Sequence, residues 1–235
     1  MESKPVLVLL PGLLCDRALW APQMEALADV CRPWVPDLTR DDSMEAMARR
    51  VLDEAPGQRF ALAGLSMGGY VALEIMRQAP ERVERLALLD TRARPDSGDE
   101  TERRRTLMRI AEMAKGFAPV NKRMLPLLVH VSRQSDAQLV RTIQEMAERT
   151  GIPAYLRQQS AIMSRADFRP VLREVSCPTL LLCGRQDAIT LVSFHEEMAS
   201  AAPHARFVIV EECGHLSTLE CPADVNAAMR QWLAA

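Results

Sequence analysis

The 235-residue sequence has no long apolar run, no large surplus of one charge sign, and no short paired Cys or His spacings. Each absence excludes a class. The apolar stretch Val6 to Leu10 is too short for a membrane span or a signal-peptide core. A net charge of -2 gives no basis for nucleic acid or a membrane surface as the main partner. Cys213 and His215 lie close together, but no second short spacing completes a zinc set, so no metal is expected. Fixed-period repeats and low-complexity segments are also absent, which leaves an ordinary globular chain.

What is present fits that reading. Hydrophobic residues make up 48% and charged residues 26%, enough apolar material for one sizeable core. Six cysteines in a chain of this size, with no secretory segment expected, read as reduced thiols in a cytoplasmic protein. Short apolar runs at Val6–Leu10, Phe60–Ala63, Val83–Leu89, Thr179–Cys183 and Ala205–Val210 read as buried strands, with a weaker one at Arg32–Val35. Helical patterns separate them near Trp20–Asp29, Ser43–Ala55, Met67–Ala79, Leu191–Ala201 and Ala223–Leu233. This alternation predicts an α/β fold, a parallel sheet with helices on both faces.

Residues 91–173 break the pattern. They carry helical periodicity, as in Glu102 to Ala114 and Asp136 to Arg149, and no convincing strand. The expectation is a helical cap (91–173) inserted into a core formed by 1–90 and 174–235. Placed after a strand's carboxyl end, it would lie over the region where α/β sheets bind ligands. The insertion holds 16 Lys and Arg against 9 Asp and Glu, so it is basic and the remainder acidic. Such a cap would attract an anionic substrate or an acidic protein partner. The plainer alternative is that Arg103, Arg104 and Arg105 form a solvated helix face.

A serine hydroxyl becomes a useful nucleophile only beside a base that is itself oriented by a third group. Ser66 lies in Gly64-Leu65-Ser66-Met67-Gly68-Gly69, between a strand and a helix, with glycines at minus two and plus two. That spacing alone arises by chance with a probability of about 0.1 in a chain this long, so its context carries the weight. A tight strand–turn–helix lifts the hydroxyl out and sets the Met67 N–H at a helix start, suited to a developing oxyanion. Of four histidines, only His215 follows a strand and precedes a helix. His204 lies at the opposite edge, His195 on a helix and His130 in the insertion. Asp187, in the loop after the preceding strand, is the expected partner of His215; Asp90 is the rival acid, and the order Ser, Asp, His favours Asp187. After the first strand, Gly12 lets the backbone approach the site, and the Leu13 N–H is the expected second oxyanion donor. Leu14 and Trp20 are expected to line the acyl pocket. Of ten glycines, six (Gly12, Gly64, Gly68, Gly69, Gly184 and Gly214) fall at carboxyl ends of expected strands.

With these motifs in order, the sequence resembles the α/β-hydrolase fold family over nearly its whole length. The likeness rests on Pro11-Gly12-Leu13-Leu14, the Gly64–Gly69 elbow, the Asp187 loop and Gly214-His215. Within the family it is most similar to small capped carboxylesterases of the pimeloyl-carrier-protein methyl ester esterase kind. Relatives of that type also include enol-lactone and carbon–carbon bond hydrolases. Two features depart from the common pattern: Pro11 stands where a histidine is frequent, and the sequence opens at its first parallel strand without an antiparallel hairpin. About six strands are therefore expected. A serine at the elbow, rather than an aspartate, argues against the dehalogenase and epoxide hydrolase branches.

The resulting expectation is a serine hydrolase cleaving a small carboxylic ester, free or carrier-linked, without cofactor, as a monomer or homodimer. Lactone or carbon–carbon bond hydrolysis with the same residues is the enzymatic alternative. A binding protein that keeps the fold without turnover is the alternative of another class.

Overall fold

A computed structural model describes residues 4–235. Strands β1 (Val6–Leu10), β2 (Arg32–Trp34), β3 (Phe60–Leu65), β4 (Val83–Leu89), β5 (Thr179–Gly184) and β6 (Arg206–Val210) form one six-stranded sheet among these residues. Every pairing is parallel, in the order β2-β1-β3-β4-β5-β6. The α/β architecture and strand number read from the sequence are borne out.

Both faces of the sheet are covered, which explains the near-continuous apolar strands. Along β1, Val6, Val8 and Leu10 face one core and Leu7 and Leu9 the other. Helices α2 (Met44–Glu54) and α3 (Met67–Gln78) pack on the first face, together with α7 (Arg169–Glu174) and α8 (Val192–Ala201). Helices α1 (Ala21–Ala26) and α10 (Pro222–Ala234) serve the second, while α9 (Ser217–Glu220) is a single turn. The helix expected over Trp20–Asp29 is shorter than its pattern suggested: a 3-10 turn, Arg17–Trp20, precedes α1.

Between β4 and β5 the chain forms α4 (Gly98–Ala114), α5 (Ala118–Leu128), α6 (Ala137–Ser164) and α7, with no strand among the described residues. Ser97 and Glu100 close a reciprocal capping box at the start of α4, satisfying N–H groups that a helix leaves unpaired there. Asp136 caps α6 through the Gln138 and Leu139 N–H groups. Gly151, at φ 74° and ψ 161°, kinks α6, and Pro153 follows within the next turn. A small apolar cluster of Phe117, Val120, Ala147 and Tyr155 packs these helices against Leu13 and Leu14.

Strand order reverses at β1, since β2 lies on one side of it and β3 to β6 on the other. Loops leaving β1 and β3 therefore diverge to opposite faces and open a crevice at their carboxyl ends. That crevice is where Leu13 and Ser66 lie.

Candidate active site

Ser66 occupies a turn that only its neighbours permit. Its φ of 54° and ψ of -115° are unfavourable for a residue with a side chain, at a cost of roughly 1–3 kcal/mol. The conformation is held by the Ser66 N–H donating to Leu89 O at 3.0 Å and by Thr91 Oγ1 donating to Ser66 O at 2.8 Å. Glycine is required on either side for space: a Cβ on Gly64 would overlap the Gly68 carbonyl, and one on Gly68 would overlap that of Leu10. The hydroxyl is thereby raised at the start of α3.

His215 follows β6, and its Nε2 lies 2.9 Å from Ser66 Oγ. Its Nδ1 lies 2.8 Å from Asp187 Oδ2, beyond β5. An ionised carboxylate only accepts, so Nδ1 carries the proton and Nε2 is left as the acceptor for the serine hydroxyl. Asp187 is fixed in turn: the N–H groups of Ile189 and Thr190 donate to Oδ1 at 2.8 and 2.9 Å, and Thr190 Oγ1 donates to Oδ2 at 2.6 Å. Burial opposes its ionisation, but His215 and Thr190 outweigh it and hold the carboxyl below its ordinary range. Burial likewise disfavours the imidazolium, yet the charge and hydrogen bond of Asp187 raise the His215 pKa above the usual 6.5.

Asp90 is placed differently. Although fully buried and near Asp187, it has other partners: it accepts from the Gly184 N–H at 3.0 Å and from Ser217 Oγ. Burial and the charge of Asp187 push its pKa well up, which favours the neutral acid. His195 is also buried and is bonded elsewhere than to Ser66: its Nε2 accepts from the Thr91 N–H at 3.2 Å, and burial lowers its pKa to about 4.

Met67 is the first residue of α3, where a helix has no internal acceptor for its N–H. The Met67 side chain points into the core below. Leu13 follows Gly12, whose added Cβ would sit 3.5 Å from Ser66 Cβ, so this loop passes directly beside the serine. The Leu14 N–H donates to Gln158 Oε1 at 3.2 Å, which ties the same loop to α6.

The crevice opens into a cavity bounded by the sheet edge and the helices between β4 and β5. Ser66, His215, Leu13 and Leu14 lie on one side; Val120, Met124, Ile143 and Tyr155 of the inserted helices lie on the other. Trp20 does not line it. The 3-10 turn rotates its indole into the core beside Leu19 and Leu27, so its expected place in the acyl pocket is corrected. Sequence reasoning also missed Thr190 and Leu128. Leu128 O accepts from the N–H groups of both His215 and Leu216, at 3.0 and 3.3 Å. Asp187-x-x-Thr190 just before a helix is a local pattern that could have revealed the first; nothing local signals the second.

A family model described as the alpha/beta hydrolase family matches residues 7–228. The chain belongs to this family. Among curated proteins it is 31% identical over 232 residues to a pimeloyl-[acyl-carrier protein] methyl ester esterase of Nitrosomonas europaea, covering 93% of this chain and 91% of that one. Among solved structures it superposes on a thermophilic esterase from Thermogutta terrifontis with a TM-score of 0.91 and 32% identity, over 100% of this chain and 91% of that one. An enol-lactonase from Burkholderia xenovorans gives a TM-score of 0.88 at 24% identity, over 100% and 93% of the two chains, a likeness of fold. This alpha/beta hydrolase thus has hydrolases and esterases among its relatives.

Proposed function

We propose that the protein is a serine hydrolase that cleaves a small carboxylic ester through an acyl-enzyme. The observation carrying this reading is the hydrogen-bonded chain Ser66–His215–Asp187, with the serine end at the cavity and the aspartate end buried. In the proposed reaction His215 Nε2 takes the Ser66 proton as Oγ attacks the carbonyl. Asp187 stabilises the imidazolium so formed and keeps its tautomer. The Leu13 and Met67 N–H groups receive the oxyanion. His215 then returns its proton to the leaving alkoxide. Water enters by the same base catalysis and releases the acid, restoring Ser66.

The inserted helices act in this reading as a cap that shapes the acyl site. The named substrate of the Nitrosomonas relative, an ester, is consistent with the proposed chemistry. Replacing Ser66 with Ala should lower kcat/KM on a short-chain aryl ester by a factor on the order of 10⁴ to 10⁶. Equal activity in the variant and the unaltered protein would overturn the assignment.

A further inference from the structure

The cavity wall is mostly apolar, but one cation lines it. Arg103 and Arg105 face solvent on α4, whereas Arg104 turns inward, so the expectation of a uniformly solvated arginine face is corrected. Its Nε lies 2.6 Å from Asp96 Oδ2. Asp96, nearly inaccessible, also meets Arg92 Nη2 at 2.5 Å and Arg165 Nη2 at 2.8 Å, while Glu100 pairs with Arg92 Nη1 at 2.5 Å. Burial opposes ionisation of Asp96, but Arg104 and Arg165 outweigh it and hold its pKa at about 2. Three guanidiniums thus meet two carboxylates, leaving one positive charge. Of these five groups only Arg104 reaches the cavity, and no Asp or Glu among the described residues lines it.

The neighbouring hydrogen bonds run in one direction. Arg104 Nη1 donates to Gln159 Oε1 at 3.1 Å, which orients that amide. Gln159 Nε2 then donates to Tyr155 Oη at 3.0 Å. Having accepted there, Tyr155 keeps its own O–H to give. Arg104 Nη2 likewise has no acceptor among the described residues. Both side chains line the cavity. Two unspent donors and one unbalanced positive charge in an apolar wall form a site for one anionic acceptor group. A single charge matches a carboxylate better than a phosphate dianion.

Building on the proposed ester hydrolysis, we propose that Arg104 and Tyr155 bind a carboxylate at the far end of the substrate's acyl chain. The substrate class is then a monoester of a dicarboxylic acid, whose apolar chain runs along Val120, Met124 and Ile143.

The test compares monomethyl and dimethyl suberate in two assays. In the unaltered enzyme, kcat/KM for the monoester should exceed that for the diester by about tenfold or more, the scale of a charged hydrogen-bonded contact. Arg104→Met should bring the ratio to about 1, Arg104→Lys should leave part of it, and Tyr155→Phe should reduce it several-fold. A ratio taken within one protein cancels any loss of folded fraction. Calorimetric binding to Ser66→Ala protein should show the same preference for the monoester, abolished when Arg104→Met is added. Equal kcat/KM and equal Kd for the two esters would overturn the subsite. Failure of the hydrolase reading looks different: neither ester is turned over, while the binding preference persists.

Discussion

The carboxyl edge of the sheet and the inserted helices contribute to the same cavity in different ways. At the edge, Ser66, Asp187 and His215 stand one to five residues beyond β3, β5 and β6, each held by backbone bonds. The insertion supplies no member of that hydrogen-bonded chain, yet it provides most of the opposing wall. Under the proposed function the difference separates chemistry from selection: strand ends hold the proposed reacting groups, while helices on a long connection shape the pocket. The two are nevertheless bonded together. Leu128 O accepts from the His215 N–H, and the His130 N–H donates to Glu220 Oε2 at 2.7 Å, so the histidine loop leans on α5 and the turn after it.

Perturbing the edge should give the larger effects. Asp187→Asn removes the charge that stabilises the imidazolium and permits the wrong tautomer, so kcat/KM for ester hydrolysis should fall by a factor on the order of 10⁴. Asp90→Asn keeps an oxygen for the Gly184 N–H and imitates the neutral acid, so its kcat/KM should stay within about threefold. Similar losses in both variants would show that the site does not distinguish the two acids.

Acid pH should act through the same histidine. Because its pKa is raised, the protonated, inactive form persists to higher pH, and kcat/KM should rise with a midpoint above 6.5. Residual activity of Asp187→Asn should show that midpoint moved to lower pH, since the raising charge is gone. A midpoint unchanged by the substitution would contradict the assigned cause. On the insertion side, Met124→Ala should shift the preferred acyl length while changing kcat/KM by about tenfold or less. A loss as large as that of Asp187→Asn would erase the distinction between the regions.

Much of the edge was legible in the sequence because its constraints are local. Gly64 and Gly68 report a backbone approach that leaves no room for a Cβ, and Gly64 still pairs with Leu88, so β3 extends to Leu65, beyond its expected end. The insertion was less legible. Pro119 sits in the first turn of α5, where proline is tolerated, and Pro126 near its end, so neither interrupts the helix as the letter alone suggests. Arg103, Arg104 and Arg105 are equivalent as letters. Only the rotation of α4 against Asp96 and Gln159 separates the inward one. Trp20 shows the same limit at the edge, because a 3-10 turn reset the face on which it lies.

The central claim is that Ser66 is an activated nucleophile. Treatment with a fluorophosphonate, followed by intact-mass and peptide analysis, tests it most directly. The account predicts one covalent adduct on Ser66 in the unaltered protein and none in Ser66→Ala. An unlabelled native protein, or an adduct that survives the substitution, would contradict it.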